Sequence, residues 1–318
     1  MSIKKPILQR FENTSAGLIL FIAICAVSTA SLFIRYAQRD VSSVTIAWSR
    51  MLISTIVLTP FLGRKAARDL QSLATRHKAL ILLSGVFLGL HFIFWITSLE
   101  SITVTSSVIL VTTTPLWVAI LSPYLLHEKQ QKTFLFALGL AFIGIVIITI
   151  FGQGEGISTK SFYSLQFPIS GYFLAICGAW CASGYSIIGR KMRNAISAES
   201  YIFIVYASAS VVLSFVKVAF DCSGWISEPA LIWLFLIALI PQVLGHSLFN
   251  IALRKVPAAI ASLALLGEPV GSTILAYIFL LEIPSKGELL GGLLVVIGII
   301  LGSTQKSNTY EDKLKNLQ

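Results

Sequence analysis

Charge is scarce in this chain. Lys, Arg, Asp and Glu together make up 12% of 318 residues, against about 25% in an average soluble domain. So little polar surface cannot coat a water-soluble globule of this size. Strands of about ten residues with every second position polar, the mark of a membrane barrel, are also missing. The four cysteines have no metal-ligand spacing; Cys177 and Cys181 stand one helical turn apart, a poor disulfide geometry. HEKQQK at 127–132 lacks the second His of a zinc motif, and GQGEG at 152–156 lacks the GK[ST] of a phosphate loop. Paired catalytic carboxylates and a nucleophile motif are not found either. The expectation is a protein that is not an enzyme and uses no cofactor or metal. Any transport it carries out runs on gradients.

What the chain does have is apolar length. Ten blocks are each about the 20 residues that cross a bilayer core of roughly 30 Å: 16–37, 44–63, 79–99, 103–126, 133–151, 168–190, 200–220, 230–252, 258–281 and 286–304. Lipid offers no partner for backbone N–H and C=O groups, so the spans must be helices. The expected fold is an all-α polytopic membrane protein. The net charge of +10 is distributed by topology. With both termini in the cytoplasm, 18 of the 24 Lys and Arg fall on the cytoplasmic side, five on the other, and Arg50 inside a span. That bias follows the positive-inside rule and argues against nucleic acid as a partner. The basic residues face the lipid bilayer instead. The first block follows Lys4, Lys5 and Arg10 but is too long for a signal-peptide core, so it is read as a retained helix.

The chain also repeats itself. A shift of 154 residues places Pro115 on Pro269, Glu128 on Glu282, Lys132 on Lys286 and Gly144 on Gly298; it also places Gly17 on Gly171, Leu20 on Leu174 and Ile22 on Ile176. Each half holds five spans. Five is odd, so the second half enters the membrane from the opposite side. Ten transmembrane helices arranged as two inverted five-helix repeats are expected, an architecture that recurs in secondary transporters with the substrate site at the repeat interface. The first repeat covers 16–151, an outer linker loop 152–167, the second repeat 168–304 and a cytoplasmic tail 305–318.

PLWVAILSPYLLHEKQQK and PVGSTILAYIFLLEIPSK carry the same P-(10)-LxE-(3)-K pattern, each followed by a Gly-rich helix. SLFIRYA at 31–37 and SGYSIIGRKM at 183–192 end the first helix of each half. SLESITVTSSVIL at 98–110 has its counterpart in ALRKVPAAIASLALL at 252–266. From about 16 to 304 the chain closely resembles the duplicated EamA domain of the drug/metabolite transporter (DMT) superfamily. The resemblance implies a permease or exporter of small organic metabolites in an inner membrane. The motifs specify the scaffold and leave open the substrate, the direction, the coupling ion and the oligomeric state. A channel-like or lipid-moving scaffold is the alternative reading.

Several residues stand out within the spans. Glu268 and Pro269 interrupt an apolar run, flanked by Gly267 and Gly271. A charge at the bilayer centre costs about 2.5–3.5 kcal/mol on insertion scales. Glu268 is therefore expected inside the bundle, as a substrate or proton group or as a satisfied structural polar group. Pro269 frees the carbonyl four residues back, that of Leu265. Under the repeat Pro115 matches Pro269, and Thr114 matches Glu268. Hydroxyls precede Pro115 at Thr103, Thr105, Ser106 and Thr112–Thr114, among others; they are expected to line the cavity or to bond their own helix. Arg50 can anchor an anionic group, pair with Glu268, or snorkel to the outer interface. His91 and His246 sit one residue out of register under the repeat, with Asn250 one turn after His246. Each is a candidate to bond substrate or a neighbouring helix. Trp95 and Trp180 can stack on substrate or pack in the core. Glu128 and Glu282 are read as structural anchors at the ends of the fourth and ninth helices. Gly85 and Gly89, like Gly287 and Gly291, are spaced for close helix packing. The cavity is expected between the halves, lined by the first, third, fourth, sixth, eighth and ninth helices.

Overall fold

The structure, a computed structural model, describes residues 16–125, 132–151, 171–192, 194–221, 226–252 and 267–303. Among them there is no strand. Among the described residues, twelve α-helices and one π-helical stretch form ten helical segments. In the first half these are α1 (Ala16–Ala37), α2 (Ser43–Ser72), α3 (Thr75–Ser98), α4 (Val104–Val111) with α5 (Thr114–Leu125), and α6 (Lys132–Phe151). In the second half they are α7 (Gly171–Met192), α8 (Ala198–Phe220), α9 (Glu228–Ile237) continuing through a π-helix (Ala238–His246) into α10 (Ser247–Ala252), α11 (Gly267–Leu280), and α12 (Lys286–Ser303). Among the described residues, six segments are long and apolar enough to cross a membrane, and shorter apolar helices accompany them. The chain is an all-α polytopic membrane protein.

The packing obeys the repeat. The sixth segment packs on the third, and the first packs on the eighth. The ninth packs on the first, and the fourth packs on the sixth. Exchanging the halves turns each of these pairs into the other. Two pairs map onto themselves, α2 with α8 and α6 with α12. Both are antiparallel. Along α2, Thr45 meets Lys217 and Asp221, Trp48 meets Ser214, and Lys65 meets Glu199, so one number rises as the other falls. Two repeat-related helices that pack antiparallel belong to repeats of opposite direction. The inversion inferred from the odd number of spans is therefore visible in the contacts.

The α6–α12 crossing rests on glycine. A methyl group on Gly144 would stand 2.5 Å from the Gly291 carbonyl oxygen, and one on Gly298 would stand 2.7 Å from the Ala137 carbonyl oxygen. Adding 154 to 144 and to 137 gives 298 and 291, so these are one contact seen twice. Without a hydrophobic drive between helices in lipid, close backbone approach of this kind is what holds them.

One end of the bundle is stitched by a buried polar clasp. Arg35, at the end of α1, donates Nη2 to Glu282 Oε1 at 2.8 Å and to the Ile102 carbonyl at 3.2 Å. Glu282 Oε2 accepts from the backbone N–H of Val104, the first residue of α4. Ser285 and Glu288 form a reciprocal capping box at the start of α12, and Glu288 also accepts from Thr103 and Ser106. Ser43 donates to Glu100 Oε1 at 2.5 Å, Gln38 bonds Ser43 and the Ile96 carbonyl, and Asp221 takes the hydroxyls of Ser42 and Thr45. Glu282 thus pairs with Arg35, and not with the Lys that follows it in sequence. Its repeat partner Glu128 lies outside the described residues. A buried pair of this kind resists the loss of one partner, at about 3–5 kcal/mol.

Gly144→Ala is expected to lower the thermal unfolding temperature in detergent, because its methyl meets backbone. Gly139, with nothing within 4 Å of an added methyl, supplies the comparison. Gly139→Ala should leave stability unchanged or raise it by up to about 1 kcal/mol. Equal effects at the two positions would contradict the glycine contact.

Candidate functional site

Arg50 organises the interior. It lies seven residues into α2, about 10 Å along the helix at 1.5 Å per residue, and is only 1% exposed. It does not snorkel. Its Nε donates to Gln242 Oε1 at 2.6 Å, and Nη2 stands 3.4 Å from His246 Nε2. The guanidinium is always protonated, so His246 accepts this bond through a bare Nε2. The charge is covered by aromatic faces: Cζ lies 4.1 Å from the Phe92 ring centre and 5.7 Å from that of Trp95. Both distances are within cation–π range. Nη1 has no hydrogen-bond partner, and neither has the buried Trp95 Nε1.

The neighbouring elements explain this placement. Gln242 and His246 come from the π-helical stretch, which contains Pro241. A π turn closes i→i+5 bonds and often marks a functional site; here it brings two side chains four residues apart onto Arg50. Tyr206 of α8 lies close enough to Gln242 and Arg50 to interact with both. His91, on α3, stacks beside Trp95 with ring centres 6.0 Å apart, and its Nδ1 lies 2.9 Å from the Gly178 carbonyl on α7.

Glu268 lies in the first turn of α11. It and Arg50 are close enough for each to feel the other's charge. The two form no ion pair, and among the described residues no carboxylate pairs with Arg50. Pro269 also sits in this first turn and is buried. Ile24 and Ser28 of α1 press against Gly267 and Gly271. Leu265 and most of the 252–266 segment lie outside the described residues, as does the side chain of Asn250.

The end of the hydroxyl run bonds its own helix, the second of the two expectations for it. Thr112 donates to the Val108 and Ile109 carbonyls, and Thr113 to Leu110. Thr114 donates to the Val111 carbonyl at 2.9 Å. Val111 stands four residues before Pro115, so its carbonyl is the one Pro115 leaves without an N–H. The Thr114 hydroxyl replaces that donor, and the helix breaks between α4 and α5. Thr103 and Ser106 belong to the clasp. Trp180 is also apart from Arg50: it is half-exposed, edge-on to Trp117 at 5.3 Å and to Phe173 at 6.3 Å. Arg50, His91, Trp95 and His246 are thus brought together with Glu268 nearby, while Thr114 and Trp180 make no hydrogen bond or ring contact with Arg50. The polar cluster draws on the second and seventh segments, which the expected lining omits. Gln242, Tyr206 and Phe92 were not anticipated. An amide four residues before a histidine, next to Pro241 in an apolar run, was the available signal.

Thr114→Val should cost about 1–3 kcal/mol, the range for a buried carbonyl left unpaired, and Thr114→Ser should recover most of it in thermal unfolding. A Val variant as stable as the wild type would contradict this role.

Comparison with known proteins fits this arrangement. The model of the EamA-like transporter family matches residues 14–150 and again 169–304. An uncharacterized transporter of Synechocystis, sll1164, is 27% identical over 68% of this chain and 62% of its own length, so the match spans less than two thirds of that relative. The uncharacterized transporter YetK of Bacillus subtilis is 29% identical over 73% of this chain and 70% of its own. An uncharacterized transporter of Archaeoglobus fulgidus is 22% identical over 92% and 99%. A crystal structure with 18% identity covers 94% of this chain and 99% of its own at a TM-score of 0.64, a likeness of fold. Two matched copies, spanning most of the sequence and coinciding with two inverted sets of helices, place this chain in the EamA-like transporter family.

Proposed function

We propose that the protein is a secondary active carrier of small organic metabolites. It works by alternating access between its two inverted repeats, in an inner membrane with both termini in the cytoplasm. The observation that carries this reading is the Arg50 cluster. A cation at this depth is costly in lipid, yet here it is held by side chains from both halves and incompletely satisfied. Structure alone does not require such a group. With the termini cytoplasmic, the clasp of Arg35, Glu282 and Glu288 lies at the outer end, where it closes one route to Arg50. The inverted repeat supplies the second route in the opposite conformation. Glu268 is the asymmetric carboxyl, matched by a threonine in the first half, and it is the group placed to carry a proton. Arg50 is the charged group within electrostatic reach of it, and His91, His246 and Tyr206 are the titratable groups beside Arg50. Amino acids, nucleosides, vitamins and toxic by-products all fit a polar and aromatic site.

Comparing metabolites in cells with and without the protein identifies a substrate. In proteoliposomes, counterflow of that metabolite should then be stimulated from the trans side. A flux indifferent to trans substrate would favour the channel-like or lipid-moving alternative. Glu268→Gln should retain exchange and lose accumulation driven by a pH gradient. Full proton-driven accumulation by this variant would remove Glu268 from coupling.

A further inference from the structure

The Arg50 cluster carries a statement about what the substrate presents to it. Gln242 and His246 are neutral acceptors, and the aromatic faces of Phe92 and Trp95 are neutral as well. The guanidinium therefore has hydrogen-bonded company but no bonded countercharge. Two donors in the same neighbourhood have no partner: Arg50 Nη1 and Trp95 Nε1, on side chains 1% and 4% exposed. Unpaired buried donors are strongly unfavourable, more so when one is charged. A ligand that corrects both defects must bring acceptor oxygens and one negative charge.

We infer that Arg50 and Trp95 form an anion-recognition site, and that the transported molecule offers them a carboxylate. Charge-assisted bonds from guanidinium to carboxylate are among the strongest in proteins. A single carboxylate matches the single cation when Glu268, within electrostatic reach of Arg50, carries its proton. A doubly charged phosphate would leave one charge uncompensated, because the other nitrogen-bearing neighbours are an amide, a histidine that accepts from Arg50, and a histidine bonded to a carbonyl. An amine would face the guanidinium with like charge. The inference deepens the carrier reading and rests on it for the word "substrate"; the binding site itself is testable without transport.

The test uses the full-length protein in detergent, with matched pairs of probes at neutral pH: phenylacetate, indole-3-acetate and hexanoate, each against its primary amide. Binding is read as quenching of tryptophan fluorescence and as a rise in unfolding temperature. At least one acid should bind tenfold or more tightly than its amide. Arg50→Gln should erase that preference, and Arg50→Lys, which keeps the charge but not the fork, should retain part of it. The wild-type comparison stands even where a variant fails to fold. If no acid is preferred over its amide in the wild type, or if folded Arg50→Gln keeps the preference, the site is not an anion site. The carrier reading fails separately: acids that bind the purified protein while the identified metabolite shows no counterflow would sink transport and leave the carboxylate site standing.

Discussion

Inside a bilayer a polar group has no water to fall back on, so every donor, acceptor and charge must be answered by the chain itself. Most features of this molecule follow from that constraint. The carbonyl released by Pro115 is answered by the hydroxyl of Thr114. Arg35 is answered by Glu282, and Glu282 in turn by the N–H of Val104. Glu288 accepts from its own helix start and from two hydroxyls of the fourth segment. These answers cluster where helices end, which is why the ends of seven segments are tied into one clasp. Arg35 Nε and Nη1 and Arg50 Nη1 are all left without a hydrogen-bond partner. What sets Arg50 apart is that, among the described residues, no carboxylate pairs with it, and it lies where neither helix ends nor loops explain it.

Duplication sets how those groups can be arranged. The α6–α12 crossing uses one glycine contact twice, and the other interfaces come in exchanged pairs. A scaffold with this symmetry has two equivalent ways to pack in outline. The polar side chains break the equivalence. Arg50 has Ile204 at its counterpart, and Glu268 has Thr114. The same position therefore mends a helix in one half and adds a carboxylate in the other. Symmetry sets the shared frame, and its exceptions place the polar groups.

The large features were readable from residue order because they depend on length and spacing. Apolar blocks of bilayer length fixed the segments, and an odd number per repeat fixed the inversion. Glu268, Arg50 and the two histidines were visible as polar exceptions in apolar runs. What could not be read depends on tertiary closure. Gln242 is 192 residues from Arg50, and a neutral amide costs too little to stand out within a span. The π turn that aims it has no distinctive composition beyond Pro241. Arg35 and Glu282 each look like interface charges until the ninth segment is laid against the first. The hydroxyl run was ambiguous for a physical reason: threonine can line water or bond the carbonyl one turn back, and only the helix break at Thr112–Thr113 decides between them.

The central claim is that the clasp holds one end of the bundle shut over the Arg50 cluster, and that it opens in the transport cycle. Electron–electron distance measurements test it directly, with spin labels at the exposed positions Arg39 and Ile283, on either side of the Arg35–Glu282 pair, in nanodiscs. The wild type should show a short distance with a minor longer one, and Glu282→Gln should shift the population toward the longer. A single distance, unchanged by the substitution and by the identified metabolite, would contradict the account.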